Sequence, residues 1–138
     1  MENYKNQKFV FYNKLNSVIL QNLTKESSTS ITLEAIFRHT STYYASVFRK
    51  GNTVTLIVHD ACPINPQISV TEKVLQLPFG FRPAYALESV TATTSVPSSD
   101  GIRFTLGTNG ILTFIGNGAG VIPMVPHTLS LTFFTTDN

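Results

Sequence analysis

The chain has 138 residues, enough for one domain with a buried core, and its many Thr, Ser, Val, Ile and Phe residues without Trp indicate a β-protein. Its net charge of +2, with scattered Lys and Arg, excludes the basic stripe of a nucleic-acid-binding protein. The single cysteine, Cys62, excludes an intrachain disulfide, and the absence of a long apolar run predicts no membrane insertion.

The first segment, residues 1–25, differs from the rest and is predicted to be an N-terminal stalk or linker. Within KLNSVILQNL, Leu15, Val18 and Ile19 fall at helical spacing, but Val18-Ile19 also suits a strand. A short helix, an exchanged strand and the end of a stalk all remain open for this segment.

Residues 26–138 are predicted to form one head domain, because apolar and polar residues alternate there in short runs. Between the runs, Arg49-Lys50-Gly51-Asn52 predicts a hairpin, and Asn109-Gly110 predicts a tight turn with positive φ angles. Many short strands at close spacing predict an all-β fold, an antiparallel β-sandwich of the jelly-roll-like kind. The alternating runs are SITLEAIF (30–37), TVTLIV (53–58), SVTATTSV (89–96), GIRFTL (101–106) and TLSLTFFT (128–135).

The stretch LPFGFRP, residues 77–83, is too short for a helix and too broken for a strand, so we predict a rigid corner between two strands. Pro78 and Pro83 stiffen the corner, since each fixes its own φ angle. Gly80 permits a backbone conformation that a side chain would block. Arg82 is expected to anchor the corner to a carbonyl or a carboxylate.

The VHDACP stretch brings His59, Asp60 and Cys62 together, but we predict neither catalysis nor metal binding there. A metal site would need a fourth ligand, and His39 and His127 are far away in sequence. A Cys-His nucleophile pair would need an activating geometry that a strand end rarely provides. We interpret the stretch as a polar loop above a small apolar cysteine, and we expect no cofactor and no enzymatic activity.

The order of elements from residue 46 onward resembles the trimeric head domains at the tips of bacteriophage tail fibres and baseplate receptor-binding proteins. The likeness covers roughly two-thirds of the chain and departs from the family pattern at Phe79, where a polar or acidic residue is usual. It implies a homotrimer, located on the virion, that attaches to a host cell-surface saccharide. The matching residues are Gly51, Asn52, Val54, Leu56, Leu77, Pro78, Gly80, Phe81, Arg82, Pro83, Asn109, Gly110, Ile111, Leu112 and Leu131 to Thr135.

The two phenylalanines of the corner bear on the implied trimer. Phe79 and Phe81 flank Gly80, and the stiff corner gives each ring a fixed direction. We expect one ring to pack inside the domain and the other against a neighbouring subunit. A corner that packs only within its own chain is the alternative.

Glycan binding requires an exposed aromatic face and a few hydrogen-bonding groups. Tyr43 and Tyr44 precede a strand, whereas His59, Asp60 and Asn65 are predicted to lie on one proline-stiffened loop. We predict these five residues as the ligand-binding set. In the alternatives, one tyrosine belongs to the core and one to a subunit interface, and Asp60 only caps its own loop.

Two further functions remain open. The chain could be a structural trimerisation or virion decoration module without a ligand, or a small polysaccharide-degrading enzyme. An exposed groove lined by aromatic residues favours glycan binding, and aromatics buried at subunit contacts favour the structural module. Two carboxylates that face each other across a cleft would favour the enzyme.

Overall fold

The computed structural model describes residues 6–8, 10, 12–16, 26–64, 71–94, 103–116 and 125–137. Within these residues the chain forms nine β-strands, one short 3₁₀ turn, Ala35–Phe37, and a helical stretch within residues 6–16. The strands are β1 (Glu26–Ile31), β2 (Tyr44–Lys50), β3 (Thr53–Ala61), β4 (Thr71–Gln76), β5 (Leu87–Val90), β6 (Thr93–Thr94), β7 (Arg103–Leu106), β8 (Ile111–Ile115) and β9 (His127–Phe134).

The strands build two antiparallel sheets that pack face to face. One sheet has the order β1-β2-β3-β9-β6, and the other has the order β4-β8-β7-β5. The chain passes from one sheet to the other after β3, β5, β6 and β8, as chains do in Greek-key and jelly-roll sandwiches. The prediction of an antiparallel β-sandwich is therefore confirmed.

The core lies between the sheets and follows from the alternation in the strands. Val54, Leu56 and Val58 on β3 point inward and are fully buried. Opposite them, Phe104 and Phe114 meet edge to face, with ring centroids 5.4 Å apart. Full burial of side chains of this size stabilises the fold by about 1.5–3 kcal/mol each.

The predicted strand in SITLEAIF is wrong in its second half. β1 ends at Ile31, and Ala35–Phe37 form the 3₁₀ turn. Here the chain leaves the five-stranded sheet and approaches the other one. The Glu34 amide donates a 2.8 Å hydrogen bond to the Val74 carbonyl on β4. Leu33 remains buried across this crossing, which explains why the apolar alternation continues where no strand does.

The predicted strand in SVTATTSV is divided between the two sheets. β5 ends at Val90 in the four-stranded sheet, and Thr93–Thr94 pair with β9 in the other. A register shift at Ser89, whose φ angle is 59°, turns the chain before the crossing. Val90 and Ala92 still pack against the core, while Val96 lies outside the described residues.

The N-terminal segment is described only in part. Residues 6–8, 10 and 12–16 are helical and exposed to solvent. Residues 17–25 lie outside the described part of the chain, so the stalk remains a prediction. In the part of the chain that the structure describes, we find no helix with the length and apolarity needed to cross a membrane.

Candidate functional site

The corner has the backbone geometry that its sequence predicts. Gly80 has a φ angle of +95°, a conformation that glycine adopts without steric cost. The carboxylate of Asp137 accepts hydrogen bonds from the Gly80 amide at 2.9 Å and the Arg82 amide at 3.2 Å. Asp137, near the C-terminus, therefore fixes the corner from outside it.

The other motif elements also meet at the corner. The Leu77 amide donates to the carbonyl of Gly110 in the β7–β8 turn at 2.8 Å. The Thr135 amide donates to the carbonyl of Asn52 in the β2–β3 hairpin at 2.9 Å. The Arg82 Nε donates to the Leu77 carbonyl at 3.4 Å, so this side chain links the two ends of the corner to each other.

The two phenylalanine rings of the corner have different surroundings. Phe81 is partly buried and packs against the core, whereas Phe79 is 66% exposed. The Arg82 guanidinium lies over the Phe79 ring, 5.7 Å from its centroid. The expectation that one ring packs inside is confirmed for Phe81. Contact between Phe79 and a neighbouring subunit stays a prediction.

Two of the predicted ligand-binding residues lie at the opposite end of β3 from the corner. His59 and Asp60 were expected on a loop, but β3 continues to Ala61 and includes both. The pairing of β3 with β9 shifts register between Val58 and Ala61, and Asp60 has a positive φ angle of 51°. Such a β-bulge changes the direction of side chains, and it gives this strand end the irregular character of a loop.

Three threonines hold Asp60 in this conformation. The Thr42 hydroxyl donates to the Asp60 carboxylate at 2.5 Å, and the Thr40 hydroxyl donates to the Asp60 carbonyl at 3.2 Å. The Asp60 amide donates to the Thr128 hydroxyl at 3.2 Å. The carboxylate also lies 3.3 Å from His59 Nδ1, although that nitrogen has no aligned hydrogen bond to any described residue. Asp60 thus joins the bulge to the preceding turn and to β9.

The tyrosine pair divides between the core and the surface. The Tyr44 ring stacks on the His59 imidazole, with centroids 4.9 Å apart and planes 7° from parallel. Tyr44 is 51% exposed, whereas Tyr43 packs against the core. Asn65 lies outside the described residues. The structure therefore brings Tyr44, His59 and Asp60 together and places Tyr43 in a packing role.

Two buried titratable groups near this site have no exposed reactive atom. Cys62 is 1% exposed, and burial, with a smaller contribution from the Asp60 charge, raises the pKa of its thiol. A thiol with a raised pKa is a poor nucleophile. His127 packs edge-on against Phe104 and Phe114, and burial lowers the pKa of its imidazole. Among the described residues, no three His, Cys, Asp or Glu side chains are grouped to hold a metal ion.

The hydroxyl partners of Asp60 were not foreseen from the sequence. Thr40 and Thr42 lie in the turn before β2 and Thr128 lies on β9, and the structure brings these two segments together around the bulge. Threonine is abundant along the whole chain, so no local pattern distinguishes these three from the others.

No protein-family model and no curated protein matches the chain. The resemblance to trimeric fibre heads therefore depends on the motif residues of the sequence alone.

Proposed function

We propose that the chain is the head domain of a viral fibre or receptor-binding protein, which attaches as a homotrimer to a saccharide on the host cell surface. The observation that carries this proposal is the half-exposed Tyr44 ring, stacked on His59 beside the Asp60 carboxylate. An aromatic face packs on the apolar side of a sugar ring, and an imidazole and a carboxylate form hydrogen bonds with its hydroxyls. The role is binding without catalysis, on the surface of a virion.

The rigidity of this site supports a binding role. Tyr44 and His59 are direct cross-strand partners on β2 and β3, and threonine hydrogen bonds fix Asp60 next to them. Groups held in place before binding lose little conformational freedom when the ligand arrives. Three weak copies of such a site gain affinity by avidity.

The corner supports the homotrimer. Phe79 is 66% exposed, although the hydrogen bonds to Asp137 hold the corner in a fixed shape, and Tyr85, two residues after the corner, is 80% exposed. Rigid exposed aromatics are typical of the residues that dominate protein interfaces. Because the corner lies at the opposite end of β3 from Tyr44, a subunit contact there leaves the saccharide site free.

A second candidate is a structural trimerisation or decoration module with no ligand. It is favoured by the hydrogen bonds of Asp60, which engage its carboxylate and both backbone groups within the chain. In that case the bulge and its threonines serve only to end β3 and to hold the turn before β2.

A glycan array with three forms of the full chain tests the proposal. We expect wild-type protein to bind at least one saccharide, and Tyr44→Ala to lose that binding without a change in melting temperature. Phe134→Ala is the matched control, since Phe134 is 69% exposed on the outer side of the same sheet. Wild-type protein that is folded and trimeric but binds no saccharide would favour the structural module.

A further inference from the structure

The outer face of the five-stranded sheet carries a second exposed aromatic ring on the same strand as Tyr44. Side chains of a strand point alternately to its two sides, so Tyr44, Ser46 and Phe48 project from one face of β2. Tyr44 is 51% exposed and Phe48 is 48% exposed. Four residues of strand separate the two rings by about 13 Å, which is more than one sugar ring can cover.

A groove runs beside Phe48 on this face and has a volume of about 350 Å³. The hydroxyls of Ser28, Thr53 and Thr55 line it next to the phenylalanine ring. Ser28 and Thr55 are the cross-strand partners of Phe48 on either side. The Thr55 hydroxyl lies 3.1 Å from that of Thr132 on β9, so hydroxyl groups extend from the groove across the neighbouring strand.

The charged residues of the groove lie at one end of it, where Arg49 donates hydrogen bonds to the Gly51 and Gly80 carbonyls. Lys50 and Glu26 form an exposed ion pair there, with Nζ and Oε1 3.1 Å apart. The cross-strand row between the two aromatic rings consists of Ser30, Ser46, Ile57 and Ser130 and contains no charged side chain. The face therefore offers exposed aromatic rings at Tyr44, Phe48 and, on β9, Phe134, with short hydroxyl side chains between Tyr44 and Phe48 and with Glu26, Arg49 and Lys50 at one end.

We propose that the Phe48 groove is a second saccharide subsite, and that the sheet face binds a linear oligosaccharide that reaches from Tyr44 to Phe48. This inference rests on the proposed function and specifies the ligand as an extended chain. Each ring packs on one sugar unit, and serine and threonine hydroxyls form hydrogen bonds with the sugar hydroxyls along the chain.

A second copy of this protein is the other conceivable occupant of the face. Serine is depleted at protein interfaces, where aromatic and apolar residues form a continuous centre. Here Ser46 lies between Tyr44 and Phe48 on the strand, and Ser28 and Ser30 lie on the adjacent strand. This interrupted pattern favours a ligand that is itself covered with hydroxyl groups.

The test measures how binding depends on the length of the saccharide. The probes are linear homo-oligosaccharides of glucose, galactose, mannose and N-acetylglucosamine, each from one to six units, applied to the full-length chain. We expect at least one series to bind about tenfold or more tightly from the tetrasaccharide upward than as a single unit. Phe48→Ala should remove this gain with length and Tyr44→Ala should weaken binding at every length. Arg103→Ala, an exposed position on the other sheet, should change neither.

Several results would overturn the inference and leave the proposed function standing. Binding that is independent of saccharide length would do so, as would a gain with length that survives in Phe48→Ala. Light scattering of Phe48→Ala tests the alternative occupant. A molecular mass below that of wild type would show that the face is a contact between subunits. If no probe of any length binds to the folded wild-type chain but the glycan array shows binding to another saccharide, the inference fails and the proposed function stands. If the array is negative as well, both fail.

Discussion

Arg49 Nη1 donates a 2.6 Å hydrogen bond to the carbonyl of Gly80, 31 residues further along the chain. The Nε of the same guanidinium donates to the Gly51 carbonyl at 2.7 Å. One side chain thus holds the β2–β3 hairpin and the corner together. Two motifs that are separate in the sequence thus form a single structural unit. The hydrogen-bond donor that joins them is the Arg49 guanidinium, which stays charged at all ordinary pH values.

Replacement of this guanidinium should therefore loosen both elements. Arg49→Lys keeps the charge, but one ammonium on a flexible stem cannot reproduce the two directed hydrogen bonds. We expect a loss of about 1–2 kcal/mol in the free energy of unfolding, measured by urea denaturation. Arg103→Lys is the control, because Arg103 is exposed at the start of β7. Equal stability of the two variants would show that the bridge contributes nothing.

Glycine substitutions separate backbone strain from steric clash. A Cβ at Gly80 would meet Arg49 Nη1 only at 3.8 Å, so Gly80→Ala should cost about 1 kcal/mol through its φ angle alone. Gly110 also has a positive φ angle, +80°, and a Cβ there would lie only 3.0 Å from the Leu77 carbonyl oxygen, so alanine would meet both backbone strain and a steric clash. Gly110→Ala should therefore lower the melting temperature further than Gly80→Ala. The reverse order, or an unchanged Gly80→Ala, would contradict this account of the corner.

The fold was predictable where local chemistry decides the structure. Alternation placed Val54, Leu56 and Val58 in the core, and the Asn-Gly pair placed the β7–β8 turn, although of that pair only Gly110 has a positive φ angle. Prediction failed where the chain changes sheets. Leu33 keeps its place in the apolar pattern, although the backbone beside it has turned toward β4. A pattern of buried positions records which side chains face inward, but it does not record which sheet receives the backbone hydrogen bonds.

The candidate site was less predictable because tertiary contacts build it. The polar cluster at His59 and Asp60 was visible in the sequence, but the bulge that orients it depends on the pairing of β3 with β9. The division of Tyr43 and Tyr44 between core and surface likewise follows from the position where β2 begins. No local motif specifies either of these relationships.

His127 should make the fold sensitive to mild acid. Burial against Phe104 and Phe114 lowers the pKa of its imidazole in the folded state, whereas the carbonyls of Ala61 and Val125 oppose that shift. Neither ring nitrogen has an aligned hydrogen bond to a described residue, so burial dominates. The unfolded chain, with an imidazole pKa near 6.5, then binds a proton at a higher pH than the folded chain does.

The contribution of the neutral His127 imidazole to the free energy of unfolding is fully present above about pH 7. It is lost as the pH falls below about 6.5 toward the lower pKa of the folded state. Urea denaturation at pH 7.5 and pH 5.5 measures the difference. We expect His127→Phe, which keeps an aromatic ring in the core, to reduce the loss of stability between these two conditions. His39→Gln removes an exposed histidine and is the control. An identical loss in wild type and His127→Phe would assign the acid sensitivity to other groups.

Asp60 should show separable structural and binding roles. Asp60→Ala removes the acceptor of the Thr42 hydroxyl and places alanine at a φ angle of 51°, so it should lower the melting temperature. Asp60→Asn keeps an acceptor oxygen and a residue type that tolerates this conformation, so its fold should remain intact. If the carboxylate charge contacts a saccharide, Asp60→Asn loses binding at full stability. Full binding by a well-folded Asp60→Asn would restrict the residue to its structural role.

The homotrimer should depend on Phe79 in the corner and on Tyr85, two residues after the corner. Light scattering at micromolar concentration should give about three times the chain mass of 15.2 kDa for wild type, as closed cyclic symmetry requires. The double variant Phe79→Ser, Tyr85→Ser should give the mass of one chain, because both side chains are mostly exposed in the single subunit. For the same reason its secondary structure should be unchanged by circular dichroism.

Tyr44→Ala is the control for this prediction: it alters a half-exposed aromatic at the opposite end of the sandwich and should leave the mass at three chains. A wild-type mass of one chain would refute the trimer itself, whereas a trimeric double variant would place the subunit contact on a surface other than the corner.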